Sequence, residues 1–206
     1  MAAAPIPQTA KQEQAARSRR ALIEAATALF AERGYDGTSV QAIGARAGVS
    51  RGSIFWHFGA KEGLLWAVVE RAFEQWETEV LVPDVGEATG IEAVRRALAA
   101  HRRFLTERGG ALRLFYILIF EALGPRPDLA REFAGLHERL RDMTVPWIHR
   151  AIESGEMRDD LDARATVIFI SGALGGLAYQ WLLDPGGFDL ERAYADLERT
   201  LVRGLA

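Results

Sequence analysis

The sequence predicts an all-α protein: a three-helix, helix-turn-helix unit at the N-terminus, then a larger helical unit, with about nine helices in all. Three observations carry this. Apolar residues recur at helical spacing along nearly all 206 residues, and no alternating strand pattern interrupts them. Gly34, Gly48 and Gly59 separate the periodic stretches, and proline falls inside one only at Pro146. Two short periodic runs beginning after Ser39 and Ser50 are joined through Gly48, which is the spacing of two helices around a tight turn.

The elements follow in order. The opening MAAAPIPQTAKQEQ lacks the apolar run of a secretory signal and reads as a disordered arm. Leu22, Ala25, Ala26, Leu29 and Phe30 mark one face of a first helix, ended by Gly34. Val40, Ile43 and Ala47 mark a short second helix, with Ser39 as N-cap and Gly48 as its break. Ser50 caps the third, which Gly59 stops. A fourth runs from Lys61 to Val80 on the stripe Leu64, Leu65, Val68, Val69, Ala72, Phe73 and Trp76. Pro83 to Gly90 is expected to be a loop. Helices are then expected over 91–107, 111–123, 128–154 with a bend near Pro146, 162–183 and 188–203. The domains are placed at 1–60 and 61–206.

Composition narrows the chemistry. Hydrophobic content of 49% with 26% charged residues suits a folded soluble protein. With no cysteine there is neither a disulfide nor a thiolate metal site. The net charge of -3 conceals an asymmetry: residues 1–61 hold eight Lys/Arg against four acids, and the remainder holds 17 against 24. A basic N-terminal third points to a polyanion partner for that part alone. There is no Gly-rich phosphate loop, no HExxH and no GxSxG, so no enzyme class finds support; no cofactor and no metal are expected.

The stretch VSRGSIFWHF, residues 49–58, carries the most specific chemistry. In a helix-turn-helix the second helix enters the major groove N-terminus first. Ser50, Arg51, Gly52 and Ser53 then face DNA, and Arg51 has the forked donors that suit guanine N7 and O6. Gly52 allows close backbone approach, while Ile54 and Phe58 point into the three-helix core. Phe55, Trp56 and His57 lie along the DNA backbone, where indole and imidazole N–H groups reach phosphate oxygens. Gly44, at the crossing of the two helices, permits their close approach.

Residues 38–70, TSVQAIGARAGVSRGSIFWHFGAKEGLLWAVVE, resemble the DNA-binding signature of the tetracycline-repressor (TetR) family, and most of all its multidrug-efflux repressor (AcrR-like) branch. The matching pieces are Thr38-Ser39-Val40, Ile43, Ala47-Gly48-Val49-Ser50, Phe55-Trp56-His57-Phe58 and Lys61-Glu62. The resemblance implies that Thr38 and Ser39 bind phosphate and cap the second helix, that Gln41 reaches a base or phosphate, and that Arg51, Gly52 and Ser53 contact bases. It implies phosphate contacts for Trp56, His57 and Lys61. Two positions depart from the pattern: Phe55 stands where the family usually has Tyr, and Gly44 where Ala is usual. The missing hydroxyl leaves an alternative open, a helical small-molecule-binding protein that no longer reads DNA.

Two further regions complete the reading. TVIFISGALGGLAYQWLL, residues 166–183, has no charge and reaches the lower length limit of a membrane span. Gln180, Ser171 and three glycines favour instead a soluble helix pairing closely through Gly172 and Gly176. The last helix has an apolar stripe of Leu190, Ala193, Tyr194, Leu197 and Leu201. The resemblance implies that these last two helices form a homodimer's four-helix bundle. Between the helices of the larger unit, Phe73, Trp76, His101, Phe104, Leu105 and Phe115 suit an apolar pocket. Tyr116, Ile119, His137, Leu140, Trp147, Phe169 and Tyr179 extend the same lining. The resemblance places a small-molecule inducer there, against the plainer reading of core packing. Glu121 either meets a cationic ligand or, as favoured, pairs with Arg113 or Arg126. The whole implies a cytoplasmic, ligand-responsive repressor of transcription bound to double-stranded operator DNA.

Overall fold

The structure, a computed structural model, describes residues 8–107, 109–125 and 127–206. Its described residues form ten α-helices, one of them a single turn, and the remaining nine are those expected from the periodicity. Two compact units divide the chain between Ala72 and Phe73.

In the first unit, α1 (Gln8–Arg33) packs on α2 (Val40–Ala47) and α3 (Arg51–Phe58). Leu22, Ala26, Leu29 and Phe30 are buried, as their spacing requires, together with Ile43 and Ile54 from the two short helices. Ser39 caps α2, its Oγ accepting from Ala42 N–H at 3.1 Å, and Gly48 ends it at φ 67°. That left-handed turn brings the α3 entrance across α2: a Cβ on Gly44 would lie 3.1 Å from the Val49 carbonyl oxygen. α4 (Lys61–Trp76) begins in this unit, with Leu64, Leu65, Val68 and Val69 buried.

Several expectations need correction here. Residues 1–7 of the supposed arm lie outside the described residues, but Gln8 to Gln14 are helical, a direct extension of α1. The unit boundary falls twelve residues beyond 60, because the apolar stripe at the start of α4 closes the first core. The α-helical part of α4 stops at Trp76 and continues as a π-helical turn, Glu77–Leu81. The expected loop begins with a helical turn, α5 (Val82–Val85), which buries Leu81 and Val85 against Ala93.

The second unit contains α6 (Gly90–Glu107), α7 (Gly109–Ala122), α8 (Pro127–Glu153), α9 (Ala163–Leu183) and α10 (Leu190–Leu205). α8 packs on α6, α7 and α9, and α10 packs on α6 and α9. α8 runs through Pro146 as one helix. Asp162 and Asp189 cap α9 and α10 by accepting from Ala165 N–H and Arg192 N–H.

Candidate nucleic-acid interface and interior site

α3 is two-sided. Ile54 faces the core with no exposed surface. Ser50, Arg51, Gly52, Phe55 and Trp56 form the opposite side, and Trp56 is 73% exposed. An indole left so open on a basic unit marks a surface built for contact. The Arg51 guanidinium leans over the Phe55 ring, 5.6 Å from its centroid, which holds it at the helix entrance. Nothing crowds Gly52 except Ser50 Oγ, 3.8 Å from where a Cβ would stand. Ser50 occupies the N-cap position with extended backbone, but its hydroxyl meets Ser53 Oγ at 3.1 Å instead of closing the cap.

The flanking residues divide into free and engaged groups. Gln41 is exposed. Ser39 is exposed as well, and its hydroxyl hydrogen stays available while the oxygen caps α2. Thr38 differs from expectation: it is 1% exposed, and its hydroxyl turns inward to the carbonyls of Gly34 (2.8 Å) and Leu29 (3.1 Å). That side chain locks the α1–α2 corner, because a buried hydroxyl must find an acceptor. Lys61 donates to the Tyr35 carbonyl at 2.5 Å and stands over that ring, 4.0 Å from its centroid. Its ammonium keeps further N–H donors for a phosphate.

His57 sits between functions. Its ring is edge-on to Trp56, centroids 4.4 Å apart, and Nε2 lies 3.3 Å from Ser18 Oγ. Burial first, and then the Arg19 charge, lower its pKa below the ordinary imidazole range. Ser18 and Arg19, the latter 5.4 Å from the Phe58 ring centroid, are supporting residues that motif reading missed. Gly63 is another: a Cβ there would collide with the Phe58 carbonyl oxygen. The sequence signal was available, a glycine inside an otherwise strong helix.

In the second unit the proposed lining does not form one surface. Phe104, Tyr116 and Trp76 meet in one apolar cluster with Leu105, Leu112, Ala178 and Leu182. Trp76 also borders a second cluster with Leu140 and Trp147. Phe73, buried, lies tilted against Trp76 with ring centroids 5.9 Å apart, and Phe115 packs edge-on against Phe133. Ile119 is half-buried on α7. His101 is buried and bonded to Tyr194 Oη at 2.6 Å. Three residues leave the interior. His137 is on the exposed side of α8, Phe169 is 62% exposed, and Tyr179 is exposed against Phe120 with ring centroids 5.7 Å apart. Helical spacing identified these as apolar-face positions without saying what the face meets. Arg113 donates to the Leu182 carbonyl at 2.5 Å rather than to Glu121, and Arg126 lies outside the described residues.

The expected dimer residues also separate. Tyr194 and Leu201 are buried in their own protomer, so α10 turns its apolar stripe inward. Leu197 packs against the same core. Gly172 is exposed and Gly176 half-buried, with open space where either would carry a Cβ. Ile168, Phe169, Tyr179 and Leu183 share that outward side of α9. By length and composition α9 also satisfies the requirements of a membrane span.

An exposed recognition helix over a three-helix core, followed by a helical unit with an apolar interior, defines a helix-turn-helix DNA-binding protein of two-unit design. The profile of the bacterial regulatory proteins of the tetR family matches residues 22–68, and that of the BetI-type transcriptional repressor C-terminal region matches residues 92–206. The chain belongs to the tetR family, and it is a DNA-binding transcriptional regulator of the repressor type. It is 28% identical to the HTH-type transcriptional regulator AcrR of Shigella flexneri, over 90% of this chain and 87% of the relative. With the HTH-type transcriptional repressor BepR of Brucella suis biovar 1 (strain 1330) it shares 26% identity, over 86% of each chain. The fold resembles the transcriptional regulator FadR from Bacillus subtilis in complex with stearoyl-CoA, with a TM-score of 0.76 and 23% identity over 91% of this chain and 99% of that one.

Proposed function

We propose that this protein, a cytoplasmic homodimer, binds an operator through two α3 helices and releases it when a small apolar or amphipathic molecule enters the second unit. The observation that carries the DNA reading is the open face of α3, where Arg51, Gly52 and Trp56 are exposed over a buried Ile54. Arg51 and Gly52 read bases; Ser39, Gln41, Trp56, His57 and Lys61 hold the backbone. Assembly falls to the outward side of α9, where small residues at 172 and 176 let a second copy approach closely and Ile168 and Phe169 are covered. The acyl chain of the stearoyl-CoA held by FadR supports an effector with an apolar body. α4 suits a lever, since it starts beside Lys61 in the first unit and ends at Trp76 in the second.

A gel shift with DNA upstream of the protein's own locus tests this directly. A specific complex, with affinity falling steeply as salt rises, supports it. Equal binding to that DNA and to random duplex in the same salt series overturns it.

A further inference from the structure

Three polar tips converge inside the second unit. His101 of α6 presents Nδ1 to Tyr194 Oη of α10 at 2.6 Å. Tyr116 of α7 approaches from a third side: its hydroxyl would lie 3.5 Å from a Cβ on Gly175 of α9, and it is close enough to Tyr194 to act on that phenol. Tyr116 packs against the apolar cluster of Phe104, Leu105, Leu112, Ala178 and Leu182, and Tyr194 belongs to a second core with Leu98, Leu174 and Leu201.

The hydrogen bonds leave two groups over. A buried phenolic hydrogen needs an acceptor, and among the described residues Tyr194 Oη has only His101 Nδ1 in reach. Tyr194 therefore donates, and His101 keeps its proton on Nε2. No described residue accepts from Nε2, and none bonds the Tyr116 hydroxyl. Tyr116 is half-buried, and His101 keeps 9% of its surface exposed. The site thus offers two free donors in an apolar setting.

It offers no charge. Burial pushes His101 down to about 4 and Tyr116 up to about 12, so both are neutral in the physiological range. Arg102, whose charge acts on Tyr194, is engaged by Glu191, and Arg113 is held by the Leu182 carbonyl. Glu121 is five residues beyond Tyr116 on α7, about 140° around the helix. An anion or a cation entering here would lose its hydration without gaining a counter-charge.

We propose that His101 Nε2 and the Tyr116 hydroxyl are the polar contacts of the effector site, and that the effector is an uncharged amphipathic molecule carrying a hydrogen-bond acceptor such as a ketone, ester or amide carbonyl. This rests on the effector reading above and adds the chemical class. A hydrocarbon body lies against the Phe104–Leu182 cluster while one carbonyl oxygen takes both donors.

Four probes of nearly equal size test it: butyrophenone, butylbenzene, 4-phenylbutyrate and 3-phenylpropyltrimethylammonium. Binding to the free, full-length protein is read by tryptophan fluorescence, since Trp76 and Trp181 border the cluster. Butyrophenone is expected to bind at least about tenfold more tightly than either ion. Tyr116→Phe removes one hydroxyl without changing the ring, and it should weaken butyrophenone about fivefold while leaving butylbenzene unchanged. His101→Gln serves as a second variant with the same expectation. The proposal is overturned if either ion binds as tightly as the ketone, if Tyr116→Phe affects both neutral probes alike or neither, or if no probe binds. A protein that shows the expected pattern but binds no operator overturns the repressor reading and leaves this one standing.

Discussion

At the scale of single residues, the DNA face is set by what each side chain is already doing in the free protein. The Arg51 guanidinium lies over the Phe55 ring, an exposed cation–π contact that is easily exchanged for a base. Arg51→Ala should weaken specific operator binding by about 1–3 kcal/mol and relax the preference at one base position per half-site. Equal loss on operator and random DNA in a salt-controlled titration would refute base reading by Arg51. Lys61→Ala should weaken all sequences alike and lower the salt slope. The interior offers a pH test. His101 titrates near 4 when folded and near the ordinary 6.5 when unfolded, so its shift favours the native state at neutral pH. The unfolded chain takes up the proton first as pH falls, so stability is lost from about 6.5 downward and the loss is complete below about 4. Between pH 7 and pH 5 this residue should remove about 2 kcal/mol. Denaturant titrations of the wild type and His101→Asn check it: the variant should lack that increment, and an identical pH dependence in both would place the titration elsewhere.

At the scale of elements, two glycines control how short helices approach. Gly44 lets the entrance to α3 cross α2, and Gly63 lets α4 start against the last carbonyls of α3. A glycine inside a helix ordinarily costs stability, so Gly63→Ala would be stabilising if only propensity mattered. Here the added Cβ collides with the Phe58 carbonyl oxygen, a backbone atom that cannot swing aside. The substitution should destabilise by about 1–3 kcal/mol and weaken operator binding by displacing α3. Thermal unfolding and a gel shift measure the two effects; a raised midpoint would show that α3 and α4 do not meet this way.

At the scale of the whole molecule, α9 leaves large apolar residues exposed, as the region of α7 does at Ile117, Phe120 and Leu123. Leu174, Ala178 and Leu182 point inward, while Ile168, Phe169, Tyr179 and Leu183 point out. Because a Cβ at Gly176 meets nothing within 4 Å in its own chain, Gly176→Leu should fold normally. A second copy would be held off by it. Light scattering should then report a monomer, and operator affinity should fall about 100-fold or more as the two half-sites lose their linkage. A variant that remains dimeric with unchanged operator binding would put the interface on another face.

Local signals in the chain suffice for the helices, their order and the recognition helix. Helical periodicity, Ser39 and Asp162 as caps, and Gly34, Gly48 and Gly59 as stops are local signals, and the structure follows them closely. Motif spacing also brought Arg51, Trp56 and His57 onto one short helix. What only tertiary structure decided is the neighbour that each face meets. Thr38 had the right type and position for a phosphate contact, yet its hydroxyl serves the Leu29 and Gly34 carbonyls. Tyr194 and Leu201 formed the cleaner apolar stripe and were assigned to a partner, yet they fill their own core, while Phe169 and Tyr179, assigned to the pocket, face outward. The reason is physical: amphipathic spacing states that a face must be buried, and an inner core and a second chain satisfy that requirement equally well. Which of them does so depends on distances between elements far apart in sequence, and no local pattern encodes those.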